Sequence, residues 1–160
     1  MKLLFKQRFF SWFDSYDIYN ENGETVYTVE RKLSWGHKLH ILNNQGEHIA
    51  TVKQAVLTFM PRFELYQGER CIGSLQKKIS FFKPHYEIDF NGWSITGNFL
   101  EWDYNIVNAA GQVVATVNKE VFNFTDTYSI VIIRLWLTLW QRERHLWKNM
   151  QMCFLSLLAE

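Results

Sequence analysis

The sequence contains very few cysteines and prolines. Its two cysteines, Cys71 and Cys153, are too few to form a disulfide framework in a chain of 160 residues. A secretory signal pattern is also missing, because Lys2, Lys6 and Arg8 interrupt the apolar residues at the N-terminus. These absences favour a reduced, cytoplasmic protein.

The chain also lacks an excess of charge and a long apolar run. Seventeen Lys and Arg residues against sixteen Asp and Glu residues give a formal net charge of +1, so no overall field attracts nucleic acid or an anionic membrane. The longest apolar run, residues 129–140, includes Arg134 and is shorter than the roughly 20 residues of a membrane-spanning helix. We therefore expect no nucleic-acid partner and no transmembrane segment, and any basic site must be a local patch.

Aromatic residues, in contrast, are abundant. They make up 17% of the chain, a content that suits pleated, half-buried surfaces and is unusual in disordered segments. The length fits one domain, and no composition change marks a boundary within residues 1–160. The bulk composition thus predicts a single β-rich domain.

A repeated strand–turn–strand unit organises most of the chain. The same spacing of apolar residues recurs around Gly23, Gly46 and Gly111, and each turn has the pattern Asn-x-x-Gly. Glycine adopts positive φ without steric cost, so each turn indicates a β-hairpin. Two less regular copies lie at residues 63–75 and 86–95, the second with an Asn-Gly pair.

These five hairpins, an opening strand near residues 3–10 and a closing strand near residues 126–133 give about twelve strands. Short turns between antiparallel neighbours predict a meander, and closing it into a barrel would remove the exposed edges. Pro61 and Pro84 are expected at strand starts. Residues 1–129 are thus predicted to form the strands, and residues 130–160, which lack Gly and Pro, a single hydrophobic C-terminal helix at the centre of the barrel.

Catalytic and metal-binding patterns are missing from the sequence. His37, His40 and His48 lack the spacing of metal ligands, and Cys71, expected to be buried or half-buried, has no base nearby in the sequence. The carboxylates of Glu87 and Asp89 are expected to face water, and no glycine-rich phosphate loop occurs. We therefore predict no catalytic residue, no metal and no cofactor, and a protein that is not an enzyme.

Two stretches, residues 32–40 and 76–85, combine basic and aromatic side chains. Such residues at strand ends could contact phospholipid head groups while the rings enter the membrane interface. The alternative is an ordinary solvated edge, where lysine prevents aggregation. The candidate contacts, for a head group or a protein partner, are Lys38, Lys77, Lys78 and Lys83.

Several longer motifs stand out in the chain. They are Trp-Gly-His-Lys-Leu at 35–39, Leu-Thr-Phe at 57–59, Phe-Phe-Lys-Pro at 81–84 and Tyr-Glu-Ile-Asp-Phe-Asn-Gly-Trp at 86–93. Together they resemble the bacterial branch of the LURP-one-related proteins, which are of the tubby C-terminal-like type, and the resemblance runs from Met1 to about Tyr128. It implies a closed twelve-stranded antiparallel barrel around a hydrophobic C-terminal helix, a shape shared with tubby domains and phospholipid scramblases. Tubby domains bind phosphoinositide head groups, but no residue here matches that site.

The C-terminal segment departs from this family pattern. Residues 141–145 read Gln-Arg-Glu-Arg-His, and unpaired charges are costly inside a barrel. Three explanations remain open: the charges lie at a barrel mouth, the helix stays outside the barrel, or this end comes from an altered reading frame.

Three functions are compatible with the sequence. The first is a non-enzymatic binding or scaffold domain, peripheral at a membrane surface through anionic phospholipid head groups. The second is a carrier or enzyme that holds an apolar ligand inside the barrel, although aromatic side chains already crowd this space. The third is a regulatory protein-interaction module. The sequence predicts neither the partner nor the oligomeric state.

Overall fold

The computed structural model describes residues 2–7, 15–79, 85–89, 92–98, 103–120 and 127–132. These residues form twelve β-strands. The strands are β1 (Lys2–Gln7), β2 (Ser15–Tyr19), β3 (Thr25–Lys32), β4 (Lys38–Asn43), β5 (His48–Gln54), β6 (Arg62–Gln67), β7 (Arg70–Lys78), β8 (His85–Ile88), β9 (Trp93–Asn98), β10 (Asp103–Val107), β11 (Val113–Glu120) and β12 (Thr127–Ile132).

The strands form a closed antiparallel barrel in which each strand pairs with its neighbours in sequence. The ring closes where β1 pairs with β12, with Leu3 opposite Ile130 and Phe5 opposite Tyr128. The predicted barrel of about twelve strands is therefore confirmed. Both ladder edges of every described strand have a partner, so the barrel has no free edge.

Alternation along the strands places one set of side chains inside the barrel. On β4, Leu39 and Ile41 are buried while Lys38 and His40 between them face outward. The same pattern buries Tyr86 and Ile88 on β8, with Glu87 exposed between them. The inward side chains form one continuous core around the ring.

Three hairpin turns share one hydrogen-bond pattern. In the β4–β5 turn, the Asn43 Oδ1 accepts bonds from the backbone N–H groups of Gln45 and Glu47, at 3.0 and 2.8 Å, and its Nδ2 donates to the Glu47 carboxylate at 2.6 Å. Asn20 and Asn108 make the equivalent contacts in the β2–β3 and β10–β11 turns. The ladder register shifts just before each turn, so each asparagine lies between a β-bulge and the turn that its side chain stabilises.

The structure corrects two predictions. The predicted helix over residues 130–160 cannot begin at residue 130, because Ile130 and Val131 pair with both β1 and β11 within β12; residues 133–160 lie outside the described residues. Cys71 is exposed, not buried or half-buried; it is the second residue of β7, next to the point where the β6–β7 register shifts.

Candidate functional site

The two ends of the barrel carry different side chains. The end with the short turns at residues 20–24, 44–47, 68–69 and 108–112, here called the turn end, is polar, and its turns contain four glutamates and no lysine or arginine: Glu21, Glu24, Glu47 and Glu69. The opposite end, called the loop end, includes the β3–β4 loop and the β5–β6 loop. Among the described residues of this end, the exposed large apolar side chains are Leu33, Trp35, Val56, Leu57, Phe59 and Ile79.

Four of these residues, called the apolar tips, project almost completely into solvent. Leu33 is 94% exposed, Trp35 93%, Leu57 104% and Phe59 93%. Single exposed apolar residues are normal on a protein surface, but a contiguous group of large ones indicates a contact surface. The apolar tips are therefore the principal candidate for a functional surface among the described residues.

The β3–β4 and β5–β6 loops are held together by hydrogen bonds and close packing. The Gln54 N–H donates to the His37 carbonyl at 2.7 Å, and the His37 N–H donates to the Gln54 Oε1 at 3.1 Å. Gly36 lies so close that a Cβ there would be 2.9 Å from the Val56 Cγ1. The two loops thus present the apolar tips as one unit.

Leu57 holds an unusual backbone conformation at the centre of this unit. Its φ is 65°, in the left-handed region that non-glycine residues seldom occupy. The loop around it is fixed by bonds from the Thr58 hydroxyl to the Ala55 carbonyl, at 3.2 Å, and from the Ala55 N–H to the Arg62 carbonyl, at 2.8 Å. Strain that exposes a large apolar side chain is typical of a functional position.

A row of lysines crosses the outer wall beside these loops. Lys32 is directly opposite Lys38 across the β3–β4 ladder, and Lys38 is opposite Lys53 across the β4–β5 ladder. We call these three residues the lysine row. Like charges directly opposite each other destabilise a sheet, so the register brings together charges that folding alone does not favour.

The charges of the lysine row are only partly balanced. The Lys32 Nζ lies 2.6 Å from the Glu30 carboxylate, and the Lys53 Nζ lies 4.4 Å from the centre of the Tyr66 ring. Lys38, between them, is half-buried and forms no ion pair with a described residue. The row therefore retains positive charge at its centre.

His40 lies next to the lysine row, whose charges affect its pKa. Burial lowers the pKa of His40 most, the charges of His48, Lys38 and Lys32 lower it further, and the carboxylate of Glu30 raises it. The His40 and His48 rings are 4.5 Å apart, and the His48 Nε2 lies 2.9 Å from the Thr51 hydroxyl. Within the described part of the chain, no group of three or more His, Cys, Asp or Glu side chains could hold a metal ion.

The other predicted contact residues, Lys77, Lys78 and Lys83, do not belong to the lysine row. Lys77 lies on the inward face of β7 with its Nζ 5.9 Å from the centre of the Tyr86 ring. Lys78 faces outward and forms a 3.1 Å ion pair with Glu87. The two side chains leave opposite faces of the sheet and cannot share one ligand. Lys83 lies outside the described residues.

The structure therefore places only Lys38 of the four predicted residues beside the apolar tips. Sequence reasoning missed Lys53, which is fifteen positions away and meets Lys38 only through the ladder register. It also treated Leu57 and Phe59 as family motif residues and not as surface residues. Their signal was present in the sequence, as apolar residues in a segment that ends at Pro61.

Comparison with known sequences identifies the family. A sequence model of the LURP-one-related family matches residues 1–134. The chain belongs to the LURP-one-related family. This LURP-one-related chain is 26% identical over 133 residues to a protein of Bacillus subtilis (strain 168) whose name is uncharacterized protein YxjI, a match that covers 82% of each chain.

A solved structure shares the fold. The X-ray structure of an Arabidopsis thaliana protein matches with a TM-score of 0.58 at 14% sequence identity, covering 82% of the LURP-one-related chain and 80% of the plant protein. At this identity the likeness concerns the fold alone. The described residues include no helix long and apolar enough to span a membrane.

Proposed function

We propose that this LURP-one-related protein is a non-enzymatic binding domain that docks on anionic membrane surfaces through its loop end. The observation that supports this most is the position of the apolar tips. They are at least 93% exposed, they lie on two loops that are bonded together, and one of them holds a strained backbone. Trp and Leu in such positions are suited to the membrane interface.

Charged side chains add to the attraction between the loop end and an anionic membrane, and they determine which end of the barrel faces it. The lysine row borders the apolar tips, whereas the four turn glutamates lie at the opposite end. An anionic surface attracts basic residues within about a Debye length and repels acidic ones. The loop end would therefore face the membrane and the turn end would face away from it.

The magnitudes are sufficient for reversible binding. Burying one large apolar side chain is worth about 1.5–3 kcal/mol, so partial burial of the four tips contributes about 4 kcal/mol. Each lysine near an anionic surface contributes about 1 kcal/mol. The total of about 7 kcal/mol, before ordering costs, corresponds to binding that is reversible and sensitive to salt.

Vesicle flotation with the full chain tests this function. We expect binding to phosphatidylcholine vesicles that contain phosphatidylserine, weaker binding to phosphatidylcholine alone, and a loss of the difference at high salt. Replacing Trp35 and Phe59 together by Ser should lower binding at least about tenfold. The matched control is Val113→Ser, which changes a partly exposed apolar residue on β11. Equal and negligible binding to both vesicles at low salt would remove the membrane function.

We also propose that residues 133–160 provide the helix at the centre of the barrel. A twelve-stranded wall is wider than the roughly eight strands whose own side chains fill the interior. Nevertheless the inward side chains of Ile41, Leu65 and Ile95 are fully covered by protein atoms, at 0% exposure. This coverage also leaves little space for an apolar ligand, which weighs against a carrier or enzyme that uses the barrel interior.

Thiol labelling can test the helix, because the chain offers an internal reference. Cys71 is exposed and should react with a maleimide quickly in the native protein. In a Cys71→Ser variant, Cys153 should react only after denaturation if it lies inside the barrel. Equal native rates for the two thiols would exclude an interior helix over that residue.

A further inference from the structure

The lysine row has more positive charge than the barrel balances. Three lysines and the carboxylate of Glu30 leave two positive charges on three neighbouring strands. Glu64 lies opposite Lys53 across the β5–β6 ladder, but its carboxylate is 3.5 Å from the Arg62 guanidinium, which balances its charge. Adjacent strands are about 4.8 Å apart, so the row is about 10 Å wide. Lysine side chains are long and flexible enough for their ammonium groups to converge on one ligand over this width.

The position of the row fixes the depth at which a ligand would bind. Lys32 directly precedes Leu33, and Lys53 comes shortly before the β5–β6 loop. If the apolar tips enter the interface, the lysines lie at the level of the lipid head groups. A phosphomonoester carries about 1.5 to 2 negative charges at neutral pH, which matches the charge of the row.

We propose that the lysine row is a phosphate site that binds the phosphomonoester head group of a membrane lipid. This inference rests on the proposed function, because the membrane brings the head group to the row. Lys38 occupies the centre and has no competing carboxylate among the described residues. Lys32 must exchange Glu30 for the phosphate, so Glu30 acts as an internal competitor.

Binding at this site is coupled to protonation of His40. The charged and titratable groups around His40 are Glu30 and Lys32 on β3, Lys38 on β4, and His48 and Lys53 on β5. A bound phosphate offsets the lysines, which hold the pKa of His40 down, so this pKa rises on binding. The bound state therefore holds the His40 proton more tightly than the free state. Because a phosphomonoester itself takes up a proton near pH 6, the coupling is measured at the His40 ring and not from the pH dependence of affinity.

Flotation with matched vesicles tests the lipid class. Vesicles of equal surface charge are prepared with either phosphatidic acid, a phosphomonoester, or phosphatidylserine, a phosphodiester. The full chain should bind the phosphatidic acid vesicles about five- to tenfold more tightly. Lys38→Gln should lower binding to phosphatidylserine vesicles about fivefold, the loss of one lysine near an anionic surface. It should lower binding to phosphatidic acid vesicles further, so that the preference disappears, whereas Glu30→Gln should increase the preference.

Two variants serve as matched controls. Lys78→Gln removes a lysine at the same end whose charge is already paired with Glu87, and Glu69→Gln removes an exposed carboxylate at the turn end. Neither should change the preference between the two lipids.

A titration with inorganic phosphate, followed by NMR of the His40 ring, shows whether the site binds free phosphate or only a phosphate that belongs to a lipid. We expect the pKa of His40 to rise with phosphate in wild type and to stay constant in Lys38→Gln, with affinity far below that for the vesicles. If both vesicles bind equally and Lys38→Gln has no effect, the site is wrong while the membrane function stands. If phosphate shifts His40 but no vesicle binds, the lipid source and the membrane function are both wrong.

Discussion

Replacing Leu57 by Asn should make the protein more stable and less able to bind membranes. Leu57 has a φ of 65° and is fully exposed. Asparagine adopts this backbone conformation several times more readily than most residues, and the substitution removes no buried contact. Stability and binding should therefore change in opposite directions.

The magnitudes follow from these two observations. A left-handed conformation costs leucine about 1 kcal/mol. Most of this cost should disappear with Asn, whose short polar side chain can hydrogen-bond locally in this conformation. For a chain of this length, 1 kcal/mol raises Tm by about 3 °C. Loss of one partly inserted leucine should weaken membrane binding by about 1 kcal/mol, or about fivefold.

Thermal or urea unfolding measures the first effect and vesicle flotation the second. Leu57→Ala is the matched control, since it removes the apolar side chain but lacks the short polar group with which asparagine hydrogen-bonds locally in the left-handed region. It should lose binding to a similar degree without gaining stability. A Leu57→Asn protein that is less stable than wild type, or that binds vesicles equally well, would refute the link between backbone strain and membrane contact.

Three further predictions concern the barrel itself. Gly97→Ala should destabilise the fold by at least about 3 kcal/mol, because a Cβ there would be 2.1 Å from the Asp103 carbonyl oxygen on the neighbouring strand; urea unfolding measures this, and a change below about 1 kcal/mol would contradict the close approach. Asn43→Ala should cost about 1–2 kcal/mol, because two backbone N–H groups lose the Oδ1 acceptor, whereas Asn44→Ala in the same turn should be neutral; equal losses would show that the turn bonds contribute nothing. Burial raises the pKa of the Tyr16 phenol, so Tyr16 ionises only in the unfolded state as the pH rises past about 10. Its contribution to the free energy of unfolding should therefore be fully present below that pH and fall above it. Tyr16→Phe should reduce this alkaline loss of stability in denaturation curves, and an unchanged loss would exclude Tyr16 as its source.

The sequence predicted the barrel well because its signals are local. Asn-x-x-Gly turns and period-two alternation determine the hairpins around Gly23, Gly46 and Gly111, and a series of hairpins leads directly to a meander. Pro61 was expected to mark a strand start, and β6 begins at the next residue. The opening strand is described over Lys2–Gln7, and residues 8–10 of its predicted range lie outside the described residues.

The candidate site was harder to predict because it depends on pairing between strands. Lys38 was identified from the basic stretch around it, but Lys53 becomes its neighbour only through a ladder whose register includes a bulge at Ile41. The apolar residues before Pro61 were visible in the sequence, but their exposure was not, because an apolar run can form a strand or a loop until the strand ends are known. Lys77 and Lys78, adjacent in sequence, were separated by the alternation of β7.

The ladder between β1 and β12, which closes the barrel, differs from the other ladders. Eleven of the ladders connect strands that follow each other in the chain, whereas β1 and β12 must meet from opposite ends of the described sequence. Pairing two strands so far apart in sequence closes a very long loop, which has a large entropic cost. This cost falls once the strands between them are already ordered. The seam between β1 and β12 is therefore where the ring is expected to close at the end of folding and to open first.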